Sequence, residues 1–195
     1  MDLPLLPLPR VLLPGERLVP NDYRPPARSV LDDPGGSLVA VVFEDREGRR
    51  TVGTVAIVTG TAGEAGAGPR PVLLGRRRME IRASTRSGDH EVVSVDAPAE
   101  QAGEGLEPLC REVTALARRL LAVSAEAGTG GDVHAAIDDD PVAASYRVAS
   151  LMRLSSPERQ DLLELPVRAR LERERAVLAR EIQLLVSYMG AGRQR

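Results

Sequence analysis

A chain of 195 residues can bury a full core without metal or disulfide staples, and its charges nearly balance at a net of −2. All 26 of its cations are arginines, so it has no lysine for a Walker-type phosphate loop, a Schiff base or a Ser-Lys dyad. The one cysteine, Cys110, excludes an intrachain disulfide and a Cys-rich zinc site, and no apolar run reaches membrane-spanning length.

The opening stretch Met1–Leu13 is apolar but is broken by Pro4, Pro7 and Pro9 and lacks a basic leader, so no signal peptide is expected and the location is expected to be cytoplasmic. From there to about residue 100 the pattern is that of strands. Leu3–Leu8, Ser37–Phe43, Thr51–Thr59, Pro71–Thr85 and Glu91–Val95 are rich in Val, Leu, Ile and Thr and are separated by Gly, Pro, Asp and Arg clusters. A short helix is expected at Pro26–Leu31, and Asp45-Arg46-Glu47-Gly48-Arg49 reads as a hairpin turn. Gly60, Gly63, Gly66 and Gly68 form a connection between strands and not a phosphate cradle, because Pro69 and Pro71 lead into a strand where a cradle would open a helix.

Beyond residue 103 the period becomes helical. Val113, Leu116, Ala117, Leu120 and Leu121 make one apolar stripe, and a Gly/Asp-rich break follows at Gly128–Asp140. Pro141, after the acidic Asp138-Asp139-Asp140, starts a second helix. Ser156 is expected to cap a third, and Pro166 opens a last one with Val167, Leu171, Leu178, Ile182, Leu185 and Met189 along one side and Gly190 as its stop. Arg168, Arg170, Arg173, Glu174, Arg175, Arg180 and Glu181 read as its solvated surface. The fold class is therefore α+β, a mostly antiparallel barrel-like β domain over 1–103 followed by a helical bundle over 104–195.

Chemistry-bearing residues are few. His90 and His134 sit in polar segments without metal-ligand spacing, and Cys110 reads as a small core residue on its helix. The acidic run 138–140 is explained by its place at a helix N-terminus. On a regular strand Arg76, Arg78, Arg82 and Arg86 share one side, as a solvated face or as a stripe for RNA. The negative net charge and scarce aromatics favour the solvated face. No catalytic, cofactor or metal site is expected.

Four stretches, in order, resemble the N-terminal domain family of the ATP-dependent protease Lon. They are Leu3–Leu8 with the Leu13-Pro14-Gly15 turn, the Gly53-Thr54 strand, Gly75-Arg76-Arg77-Arg78-Met79, and Gln160-Asp161-Leu162-Leu163-Glu164 with Arg170-Leu171. Leu13 and Met79 stand where the family has aromatics. In Tyr23-Arg24-Pro25-Pro26-Ala27-Arg28 the family's acidic residue is Arg24 and its second aromatic is Ala27. The resemblance, to a stand-alone member, implies a PUA-like β barrel ahead of the bundle and a non-catalytic module that recognises unfolded or extended polypeptide. A separate protease or ATPase is its implied partner. Tyr23, Arg24, Arg28, Arg76 and Arg78 are the candidate substrate-binding residues. RNA binding through the PUA-like face is the alternative, and neither a membrane nor a cofactor is implied.

Overall fold

The computed structural model describes residues 1–20, 37–62, 70–88, 90–129 and 132–192, with side chains through 189. The expected helix at Pro26–Leu31 and the glycines at 63, 66 and 68 lie outside these residues. The chain divides into two compact units, Met1–Glu100 with Ser155–Glu164 and Gln101–Leu154 with Leu165–Arg195. Ser155–Glu164, read from the sequence as part of the bundle, groups with the strands.

The described strands of the first unit are β1 (Asp2–Leu8), β2 (Arg17–Leu18), β3 (Leu38–Asp45), β4 (Gly48–Ala62), β5 (Arg70–Ser87) and β6 (His90–Asp96). Pairings β1–β3, β3–β4, β4–β5, β5–β6 and β6–β1 close a ring, and β2 pairs with β5. All are antiparallel except β1–β3, where Leu5 lies beside Ala40 and Leu8 beside Phe43, so the sheet is mixed. Val39–Phe43 is buried throughout because both faces of its strand are covered. Leu3, Leu5, Ala40, Val42, Val55, Met79, Val93 and Val95 form one core cluster drawn from all strands of the ring. Leu6, Leu8, Val39, Val41, Ala56, Val58 and Leu73 pack in another, closed by Leu12 and Leu18.

The segment that delivers Leu12 is pinned in place. The Gly15 amide donates to the Gly75 carbonyl at 2.9 Å, the Gly75 amide donates to the Glu16 carbonyl at 2.9 Å, and the Thr54 hydroxyl donates to the Leu12 carbonyl at 2.6 Å. Gly15 supplies the left-handed φ of 80° that the turn needs. A Cβ on Gly75 would stand 2.3 Å from the Leu13 carbonyl oxygen, which no side chain permits.

The helices are α1 (Glu107–Glu126), α2 (Pro141–Leu151), α3 (Ser156–Glu164) and α4 (Val167–Gly192). Asp140 caps α2 by accepting from the Ala143 amide at 2.8 Å, with Pro141 at the first turn. At α3 the cap is Ser155, one residue earlier than the sequence suggested. Its hydroxyl accepts from the Glu158 amide while Glu158 accepts from the Ser155 amide at 2.8 Å, a reciprocal box that needs a carboxylate three residues after the cap. Gly190 does not end α4, since a glycine inside a helix costs only about 1 kcal/mol relative to alanine and the helix runs on to Gly192.

In the second unit Val113, Ala117 and Leu120 of α1 pack with Ala144 and Val148 of α2 and with Leu171, Leu178 and Ile182 of α4. Two residues assigned to the solvated surface of α4 lie inside instead: Arg170 and Glu174 are both 0% exposed. The reason is spacing, because Glu174 is three residues after Leu171 and four before Leu178, squarely on the apolar stripe. Arg170 is well held. It donates to the Ser145 hydroxyl and to the Leu165 carbonyl at 2.9 Å each, and its guanidinium lies 3.8 Å from the centroid of the Tyr146 ring. Both carboxylate oxygens of Glu174 lack a hydrogen-bond partner. Burial pushes this carboxyl well above the usual carboxylate range, and the charge of Arg170 opposes the shift only in part.

Two outcomes are expected. Gly75→Ala should lower stability by about 3 kcal/mol, an overpacking cost against backbone that cannot yield. It would be read as a lower urea midpoint, and a loss within measurement error would show that the turn is not fixed there. Glu174→Gln should separate from wild type with pH. A carboxyl raised in the folded state contributes stability that is complete below its unfolded value and lost as pH rises through the folded one. The variant should therefore match wild type near pH 4 and melt higher at pH 8, by roughly 2–4 °C for each kcal/mol recovered. Equal melting temperatures at both pH values would mean that Glu174 is not a buried acid.

Candidate functional site

The arginines of β5 do not form a stripe. Two irregularities in the β5 ladders fall on them: Arg76 is the extra residue between the Val55–Arg77 and Ala56–Gly75 pairs, and Arg82 is the extra residue between the Ile81–Val95 and Ala83–Ser94 pairs. Each bulge resets the alternation of faces, so Arg76 and Arg77 are both exposed. Arg78 turns to donate to the Glu164 carbonyl at 3.2 Å, and Arg82 pairs with Glu80 at 3.2 Å and Asp96 at 3.3 Å. Nearby, Arg49 bridges Glu44 and Glu91 at 2.8 Å. The Ser84 hydroxyl, followed by Arg49, holds the Glu91 carboxyl below its usual range. The candidate residues Arg76 and Arg78 thus lie two apart on one strand in different settings, one open to solvent and one committed to α3. Tyr23, Arg24 and Arg28 lie outside the described residues.

Two concavities lie in the helical unit. One, of about 570 Å³, runs along the first half of α1 and is lined by Glu107, Cys110, Arg111, Thr114, Arg118, Asp138 and Asp139. Cys110 is buried in the bundle core beside it. Burial pushes its thiol up, against a hydrogen bond with Thr114, so at neutral pH it stays a protonated thiol and a poor nucleophile. Among the described residues no group of three His, Cys, Asp or Glu side chains is placed to hold a metal ion.

The other concavity, of about 420 Å³, is apolar. Leu120 and Leu121 of α1, Leu151 of α2 and Leu184 and Leu185 of α4 line it, with Ser124, Thr129, Arg153 and Glu181 among its polar members. Arg153 is fixed there by donating to the Thr129 carbonyl. Beside this groove the surface of α4 is unusual. Leu184 is 59% exposed, Val186 46% and Tyr188 77%, and no charged residue occurs between Glu181 and Arg193. Scattered apolar residues on a surface mean little, but Leu184, which lines the groove, and Tyr188 one turn later share a side of this uncharged helix end, so exposed apolar surface continues along α4 from the groove, while Val186 faces elsewhere. The sequence placed Leu185 and Met189 on the inner stripe of this helix; the signal it left unread is that Leu184 and Tyr188, one turn apart, continue apolar character outside that stripe.

No family sequence model matches this chain, and no curated protein matches it. Its fold does match solved structures. The N-terminal domain of the Mycobacterium avium complex Lon protease superposes with a TM-score of 0.70 at 22% identity, over 94% of this chain and 98% of that one. A Lon N-terminal domain protein from Xanthomonas campestris superposes with a TM-score of 0.64 at 23% identity, over 89% of this chain and 96% of that one. A six-stranded mixed sheet with helices concentrated toward the C-terminal half, matched over nearly its whole length, makes this chain a Lon N-terminal-like domain in fold.

Proposed function

We propose that this chain is a non-catalytic recognition module that binds unfolded or extended polypeptide through apolar contact, as an adaptor or chaperone-like binder serving a separate protease or ATPase. The observation that carries the reading is the leucine-lined groove of the helical unit with the uncharged, exposed end of α4 beside it. A volume of about 420 Å³ takes a few apolar side chains, and a lining of five leucines with one arginine and one glutamate offers a nucleic acid no concentrated positive charge. Leucines that the bundle leaves half-exposed suit a ligand whose own apolar residues are exposed because it is unfolded. The likeness to a domain of a protease supports the same direction. Tyr23, Arg24, Arg28, Arg76 and Arg78 stay as secondary contacts of the first unit in this proposal, and a cytoplasmic location fits it. No described helix is long and apolar enough to cross a membrane.

The test is binding of a labelled, permanently unfolded polypeptide by fluorescence anisotropy, at roughly 50 mM and 500 mM salt. Apolar binding should persist at the higher salt, and Leu184→Asp with Tyr188→Asp should weaken it by about tenfold, some 1.4 kcal/mol, with circular dichroism unchanged. Binding that ignores these two substitutions would remove the groove from the reading. Retention of RNA that collapses as salt rises would replace the reading with the nucleic-acid one.

A further inference from the structure

We propose that α3 is a releasable latch on the β unit, a segment that opens and recloses as one piece while the barrel stays folded. Its nine residues are too short to hold a helix alone in water, so α3 exists because it is seated. The hydrogen bonds that seat it run through side chains. Arg159 pairs with Glu16, the Gln160 amide nitrogen donates to the Val52 carbonyl at 3.0 Å, and Arg78 donates to the Glu164 carbonyl. Ser156 reaches the Pro9 carbonyl only at 3.4 Å. Leu162 and Leu163 add the apolar part of the contact.

The same seam holds polar atoms that are buried and unsatisfied: Nε of Arg78, Nε of Arg159 and Oε1 of Gln160. Such atoms carry a desolvation penalty in the closed state that water removes on opening. No comparable relief comes from opening the ring, where each strand is held by ladders on both sides. Opening α3 is therefore a cheaper excursion than opening the ring. The chain also passes between the two units at both ends of the segment, so tension along either connection falls on α3 before it reaches a strand. What opening uncovers is a Leu-Leu pair and its seat, apolar surface absent from the closed form. The inference stands apart from the proposed function, since it concerns a different unit and needs no ligand.

Hydrogen exchange read by mass spectrometry on the full chain tests it. The amides of Arg159 to Glu164 should exchange at least about tenfold faster than those of Val55 and Ala56 in β4, with a rate nearly independent of low urea, the mark of a local opening. Arg159→Gln removes the ion pair from the α3 side and leaves the Leu13–Glu16 turn intact. It should speed α3 several-fold more without moving β4. Exchange of α3 and β4 at one common, urea-dependent rate in wild type would overturn the latch whether or not the variant folds.

Discussion

Gly75 has to be a glycine because the carbonyl of Leu13 lies where its Cβ would stand. Around that close approach the first unit is assembled. The turn at Leu13–Glu16 exchanges backbone hydrogen bonds with Gly75 in both directions, and Thr54 fixes the residue before it. Once the turn is there, Leu12 and Leu18 cover a face of the sheet that would otherwise expose Leu6, Leu8, Val39 and Val41. Glu16, at the end of the turn, accepts from the Leu13 amide and from Arg159, so the same few residues also seat a helix that arrives from much later in the chain. Gly53 obeys a similar constraint, with a Cβ there 2.2 Å from the Val41 carbonyl oxygen.

Several residues of the motifs that suggested a family turn out to be scaffold. Leu13-Pro14-Gly15, Thr54 and Gly75 meet at this locus, Gly53 is packed against the Val41 carbonyl, and Gln160 is bonded to the Val52 carbonyl. A backbone approach fixes residue type at a handful of positions, whereas a core such as the one around Met79 asks only for apolar volume. Leu13 and Met79, standing where the resembled family has aromatics, are substitutions of the tolerant kind.

Legibility followed the range of the interaction that sets each feature. Strands rich in β-branched residues, the Asp45–Gly48 hairpin and the Asp140 cap of α2 are written in neighbouring residues and could be read directly. The bulges at Arg76 and Arg82 could not, because a bulge is a property of two strands and their register, and it dissolved an arginine stripe that one strand alone predicts. Nor could the affiliation of α3, whose sequence is helical either way and whose place is decided by Glu16 and Val52, more than a hundred positions earlier. Arg170 and Glu174 were legible and misread. Charge suggested surface, but their position on the stripe put them in the core, and position prevails when a hydroxyl, a carbonyl and a tyrosine ring are available to hold the arginine.

The two units thus divide the work along physical lines. In the β unit polar groups are used against one another: arginines face carboxylates on the strands, and the turn and α3 use up the free backbone groups near them. Among the described residues of its strands, what is left for a ligand is chiefly exposed arginine. The helical unit does the opposite at the far end of α4, where apolar side chains continue past the point at which the bundle needs them and no charge interrupts. A protein that only had to fold would replace Leu184 and Tyr188 with charged residues at no cost in core packing, since neither is buried. Exposed apolar side chains there are a liability for solubility unless something covers them, and that physical constraint is the ground of the polypeptide-binding role proposed above.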